Sequence, residues 1–211
     1  MARERLADIL TKLSPESREN LQAMTPWFFN DLKFIKSAEL EGRIVQYLAK
    51  AVAVGEKNFD KPFGGWNPGS AQFGVTTLRP HHVDMPTAGN NRWIWTSGSS
   101  TTLDWAAEDT WINGAADEDE VWLIYGYFEL EAKKNIIDLW FQPGTQKLPI
   151  MNVQPMRVKD APDYFIFPEP LIIEPRSPLV VKASCINVST TSEVGLLGYF
   201  FAPASTLLEK T

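Results

Sequence analysis

The chain has 211 residues and a mass of 23.8 kDa, enough to bury roughly 70% of its extended surface in one domain without covalent staples. Its 44% hydrophobic and 22% charged residues, with mean hydropathy −0.19, exclude wholesale disorder, collagen and a membrane-spanning design. Net charge is −6, with 8 basic against 7 acidic residues before Gly55 and 12 against 19 from there on, so neither part reads as a polyphosphate or sequence-specific nucleic-acid binder.

Arg3, Glu4, Arg5 and Asp8 stand where a secretory signal needs an apolar run, which predicts a chain made in the cytoplasm without a signal peptide. Leu6, Ile9, Leu10 and Leu13 recur at helical spacing and predict a short amphipathic helix over Ala2 to Leu13. Ser14-Pro15 then sets a cap residue before a proline at the first helical position, opening a helix that carries Leu21 and Met24. Thr25-Pro26 repeats the device and predicts a restart carrying Trp27, Phe28, Phe29, Leu32 and Ile35. Ser37 caps a further helix with the apolar face Leu40, Ile44, Val45, Leu48 and Val52, and Gly55 is the expected stop. Residues 56–74 interleave Gly, Pro and Asn with Phe59, Phe63 and Trp66, a loop held by its own aromatics.

From Val75 the pattern is strand after turn, about ten in all. The candidates are Val75 to Arg79, Arg92 to Thr96, Thr101 to Trp105, Thr110 to Asn113, Glu120 to Ala132, Asn135 to Gln142, Lys147 to Val153, Tyr164 to Phe167, Leu171 to Glu174, Leu179 to Val188 and Val194 to Phe201. Glu120 to Ala132 is apolar on both faces, with Val121, Leu123, Tyr125 and Tyr127 on one and Trp122, Ile124 and Phe128 on the other. That predicts either a layer packed outside the sandwich or a subunit interface. Eight of the 15 prolines fall between residues 143 and 178, too dense for central strands, and mark edges and crossings. No helical period follows Gly55, so the expected class is mainly β with an α-helical N-terminal arm: a helical arm or subdomain over 1–55, a connecting loop over 56–74 and an antiparallel β-sandwich of jelly-roll type over 75–211. Deleting residues 1 to 36 should leave a folded sandwich that assembles poorly.

Chemistry-bearing clusters are few. In extended chain His82 and Asp84 would face one side beside His81, two ligands for Zn²⁺ or an Asp-oriented base; with no second motif to complete the shell, a polar turn is the preferred reading. Asp117 to Glu120, after Glu108 and Asp109, offers oxygens of the calcium type but lacks EF-hand spacing, and reads as a solvated turn. Trp93 and Trp95, two apart, share a face and could stack sugar rings; otherwise, with Trp105 and Trp111, they belong to the core or a subunit contact. Ser97-Gly98-Ser99-Ser100 is not a nucleophile elbow, phosphate-cradling glycine motifs are missing, and no enzyme activity, cofactor or metal is expected.

Pro175 to Ser184, the polar turn Ser189 to Ser192, and Val194-Gly-Leu-Leu-Gly-Tyr-Phe-Phe-Ala-Pro resemble the closing strand pair of small jelly-roll structural proteins of double-stranded DNA viruses of bacteria and archaea. The likeness covers about a quarter of the chain and implies a virion or capsid subunit, found in the virion after synthesis in a host cytoplasm. Its partners would be copies of itself and other virion proteins, with the near-neutral arm binding protein rather than genome. The load of 8 Trp, 12 Phe and 5 Tyr points the same way, because obligate interfaces are core-like and rich in aromatics. The interface candidates are Leu6, Ile9, Leu10, Leu13, Trp27, Phe28, Trp122, Tyr125 and Tyr127. A carbohydrate-binding module with the Trp93 and Trp95 platform, taking a glycan partner, is the second reading, and a metal-dependent enzyme the third.

Overall fold

A computed structural model describes residues 5–85, 92–98, 110–130, 134–153 and 163–210; the expected strand over Thr101 to Trp105 lies outside the described residues. Helices α1 (Leu6–Leu10), α2 (Pro15–Asp31) and α3 (Ala38–Phe59) come first, and a short α4 (Ala204–Glu209) comes last. Between them lie β1 (Phe73–Thr77), β2 (Ile94–Thr96), β3 (Thr110–Ala115), β4 (Val121–Glu129), β5 (Ile136–Pro143), β6 (Met151–Asn152), β7 (Tyr164–Ile173), β8 (Pro178–Cys185) and β9 (Thr191–Pro203).

The expected caps at Ser14 and Ser37 form: Ser14 Oγ accepts from the Ser17 N–H at 3.2 Å and Ser37 Oγ from the Leu40 N–H at 3.3 Å. The expected restart at Thr25-Pro26 does not. Helix α2 runs through Pro26, and Thr25 Oγ1 donates back to the Leu21 carbonyl at 2.8 Å instead of capping. Local chemistry gives way there because Leu21, Met24 and Phe28, on both sides of the proline, are buried in a single stripe. Helix α3 likewise passes Gly55 and ends at Asp60, which adopts the left-handed conformation with φ 51°. Gly55 serves close approach: a Cβ there would sit 2.7 Å from the ring of Phe73.

The strands form two antiparallel sheets. One has the order β1-β9-β4-β7, with β2 added against the start of β9; the other has the order β3-β8-β5-β6. From β3 onward the chain alternates between sheets except for the β5–β6 hairpin, and the turn between β8 and β9 is a crossing from one sheet to the other. Two expected strands, Tyr164 to Phe167 and Leu171 to Glu174, are one strand β7 whose residues between Ile166 and Leu171 bulge opposite Tyr125 of β4.

The sandwich has a core between its sheets, including Trp111, Trp122, Ile112, Leu139, Phe141, Val181 and Phe200. A second core lies outside the five-stranded sheet, where Phe28, Leu32, Ile44, Leu48 and Val52 of the helices meet Phe73, Val121, Leu123, Tyr125, Tyr199 and Phe201. The two-faced strand β4 is thus covered by the chain's own helices, and residues 5–59 form a third layer on the five-stranded sheet. One expected face assignment changes. The irregularity at Tyr125 inverts the alternation, so Tyr127 joins Trp122 and Ile124 in the inter-sheet core while Tyr125 faces the helices.

Polar contacts fix the layers to one another. Glu56 of α3 accepts from the Ser14 N–H at 3.2 Å and from Ser17 Oγ at 3.1 Å, and Ser17 Oγ accepts from the Phe63 N–H at 2.7 Å. At the other end of α2, Tyr199 Oη donates to Asp31 Oδ2 at 2.5 Å; burial holds the hydroxyls of Tyr199 and Tyr125 far above their ordinary range, so both stay protonated.

Candidate functional site

Two clusters that are separate in sequence, His81-His82 and Asp117 to Glu120, are brought together by α4. Residues Pro80–Val83 form a 3₁₀ turn, so the extended geometry that would align His82 with Asp84 does not occur; Asp84 closes the turn in the left-handed conformation, φ 49°. Nε2 of His81 lies 2.6 Å and Nε2 of His82 3.1 Å from the same acceptor, the Lys210 carbonyl. A carbonyl only accepts, so both Nε2 atoms carry hydrogen, and His82 Nδ1 accepts from the Arg79 N–H at 3.0 Å. Both nitrogens of His82 are therefore in use, and its ring lies 4.0 Å from that of Phe200 at 12°.

The acidic turn grips the same helix. Lys210 Nζ reaches Asp117 Oδ2 at 2.9 Å and also pairs with Glu120 Oε1, while Thr206 Oγ1 donates to Asp119 Oδ2. Glu120 is buried, and its other oxygen accepts from Trp122 Nε1 at 3.2 Å and from the Asp117 N–H at 3.1 Å. Burial raises the Glu120 carboxyl above its usual range against the pull of Lys210; the Lys210 ammonium loses water but is held protonated above its ordinary value by Glu120 and Asp117. Among the described residues no three His, Cys, Asp or Glu side chains are grouped to hold a metal ion. The cluster is arranged as an anchor for the last helix, a role with no signal in either motif alone.

The expected interface residues are placed mostly inside the chain. Ile9, Leu13 and Phe28 are buried between helices and sheet, Tyr125 is buried on the sheet side of the same core, and Trp122 and Tyr127 between the sheets. Leu6 and Leu10 are half-buried against the helical core, and Trp27 remains 38% exposed, its ring 4.3 Å from that of Trp66. The aromatic surplus is largely absorbed by the two cores. Trp95 is also buried, tilted against Trp111 at 6.4 Å, so the face it shares with Trp93 is the sandwich interior and not a flat platform for sugar rings. Trp93 instead covers Gly195, where a side chain would collide with its ring.

Exposed apolar surface lies elsewhere. Trp27 and Phe29 flank the buried stripe of α2, and Leu130, Ile186 and Val188 lie near one end of the sandwich, where the Leu130 N–H donates to Glu193 and the Ile186 N–H to Asn135. Two apolar clefts of about 440 Å³ are present. One lies among Trp66, Pro68, Val75, Ala204, Leu207 and Leu208; the other lies between the sheets at the β6 and β7 edges, lined by Phe141, Leu148, Met151, Phe167 and Leu171. The edge of β7 carries Pro168 and Pro170, which lack the N–H groups that a pairing strand needs. Among the described residues no helix is long and apolar enough to cross a membrane.

No family model matches the chain, and no curated protein does. Among solved structures the chain is similar to the functional form of the mosquito-larvicidal Cry4Aa toxin from Bacillus thuringiensis, at 13% identity over 68% of this chain and 25% of that one, with a TM-score of 0.27. This chain spans about a quarter of the toxin's length, and at that TM-score the likeness carries no argument about function.

Proposed function

We propose that this chain is a self-assembling structural protein, a virion subunit built on a jelly-roll sandwich. The observation that supports the jelly-roll part of this reading is the strand order. With β2 set aside as a short addition to β9, eight strands in two four-stranded sheets follow β1-β9-β4-β7 and β3-β8-β5-β6, the arrangement produced when an eight-strand chain folds as two Greek keys. Viral shell domains use that arrangement, as do lectins and cupins, and fold by itself does not choose among them. Support for the structural member comes from the resemblance of residues 175–203 to virion jelly rolls, and from the two histidines being engaged in holding α4.

The contact surfaces shift accordingly. Instead of the buried residues of α1 and β4, subunit contacts fall on the exposed Trp27 and Phe29 of α2 and on Leu130, Ile186 and Val188. Native mass measurement and negative-stain microscopy of the purified protein should find large closed or tubular assemblies. Ile186→Asp with Val188→Asp should shift that population to smaller species while leaving the circular dichroism unchanged. A strict monomer of the unaltered chain at high concentration rejects the reading.

A further inference from the structure

We infer that Lys210 and Glu120 condense into an intramolecular isopeptide bond, with Asp117 as the base, so that the ion pair anchoring α4 becomes a covalent clamp. The inference stands apart from the assembly reading. Three parts of an acyl-transfer site meet here. Lys210, the residue that ends α4, brings its amine to within 2.9 Å of Asp117 Oδ2 and into contact with Glu120 Oε1. The Glu120 side chain is 1% exposed and that of Asp117 67%, so the reacting carboxyl is shielded from water and the base is open to it. The other Glu120 oxygen, Oε2, accepts from two fixed donors, Trp122 Nε1 at 3.2 Å and the Asp117 N–H at 3.1 Å. Two N–H groups on one oxygen of a carboxyl whose other oxygen meets an amine form an oxyanion hole, placed where negative charge develops as the amine adds. The pairs of Lys134 with Asp163 and Arg176 with Glu118 differ in kind, because their carboxylates are 63% and 72% exposed and keep their charge in water.

The step balances without a co-reactant. Asp117 takes a proton from the Lys210 ammonium, the freed lone pair attacks Glu120 Cδ, and as the Nζ–Cδ bond forms the carbonyl π pair moves onto Oε2. Collapse restores the carbonyl at Oε2 and breaks the Cδ–Oε1 bond. Two of the three ammonium hydrogens leave with Oε1 as water, relayed through Asp117, and the third stays on the amide nitrogen. The pair carries no net charge before or after. Burial favours the exchange: it raises the Glu120 carboxyl above its usual range, toward the protonated form that is the better electrophile, and a neutral amide replaces two charges taken from water. Lys210 loses water but is held protonated above its ordinary value by Glu120 and Asp117, so the amine needs a base in contact with it. The bond spans 90 residues of chain and ties the start of β4 to the segment after β9, neighbouring strands paired from Val121 with Phe201.

The intact mass of the purified full chain, incubated at neutral pH and then denatured, tests this. It should fall about 18 Da, one water, below the mass of the sequence, and proteolytic fragments carrying Glu120 and Lys210 should stay joined through those two side chains. Lys210→Arg, which keeps the charge but cannot form this amide, should return the full mass and lower the melting temperature. Asp117→Asn, which keeps the N–H to Glu120 but supplies no base, should slow the loss of water about 100-fold or more. The first measurement requires no variant to fold, and an unaltered chain at full mass overturns the clamp. So do loss of water without joined fragments, fragments joined through Asp117 instead of Glu120, and an undiminished rate in Asp117→Asn.

Discussion

Phe28→Ala measures whether the helices are a structural layer or a detachable arm. The Phe28 side chain is 1% exposed, its ring 5.3 Å from Tyr199 at 78° and 6.3 Å from Trp66, so truncation opens a cavity between α2 and the outer face of the five-stranded sheet. Phe→Ala in a well-packed core costs about 3–5 kcal/mol, and a domain of this size loses about 2–4 °C of melting temperature per kcal/mol, so the expected fall is about 6–20 °C. Urea unfolding followed by far-ultraviolet circular dichroism and by tryptophan fluorescence provides the assay. Trp111 and Trp122, fully buried between the sheets, report on the sandwich while the circular dichroism is weighted toward the helices. If the layers are one cooperative unit, both signals shift together. A loss below about 1 kcal/mol, or a helical transition that separates from the fluorescence transition, would refute the three-layer reasoning and restore the arm. Deletion of residues 1 to 36, expected from the sequence to leave a folded sandwich that assembles poorly, should instead expose part of the apolar face formed by Val121, Leu123, Tyr125, Tyr199 and Phe201 once α2 is gone, and the truncated chain should aggregate.

Other consequences are more local. Tyr199→Phe removes the bond to Asp31 and leaves that half-buried carboxylate short of a donor, so stability should fall by about 1.5–3 kcal/mol in the same urea assay; a change below about 0.5 kcal/mol contradicts the assignment. Gly55→Ala sets a helix-propensity gain of about 1 kcal/mol against overpacking of about 1–3 kcal/mol on the Phe73 ring, so the melting temperature should drop, and a rise would show that the ring yields freely.

Much of the fold is legible locally because each device involves neighbours in the chain. Ser14 and Ser37 cap because a hydroxyl reaches an N–H three residues on, and strands such as Ile136–Pro143 and Pro178–Cys185 read out from β-rich runs between turns. The departures occur where a distant partner decides. Pro26 stays inside α2 because the buried stripe spans it, Gly55 is small because Phe73 lies against it, and Tyr127 changes face because pairing with β7 and β9 places an irregularity at Tyr125. The site shows the same limit: His81-His82 and Asp117 to Glu120 are visible as clusters, but their meeting at Lys210 depends on where β9 delivers the last helix.

Composition and pattern, taken alone, determined that this chain builds helices first and an antiparallel sandwich after them, because periodicity and turn chemistry are properties of adjacent residues. They also determined that β4 is covered on both faces, since a strand apolar all round cannot face water. What covers its outer face was left open between a subunit and a further layer, and the tertiary structure decided it: α2 and α3 supply the second core, and with it most of the aromatic surplus is buried within the chain. Patterning records that an apolar face needs a partner; only the packing of residues far apart in the chain identifies that partner.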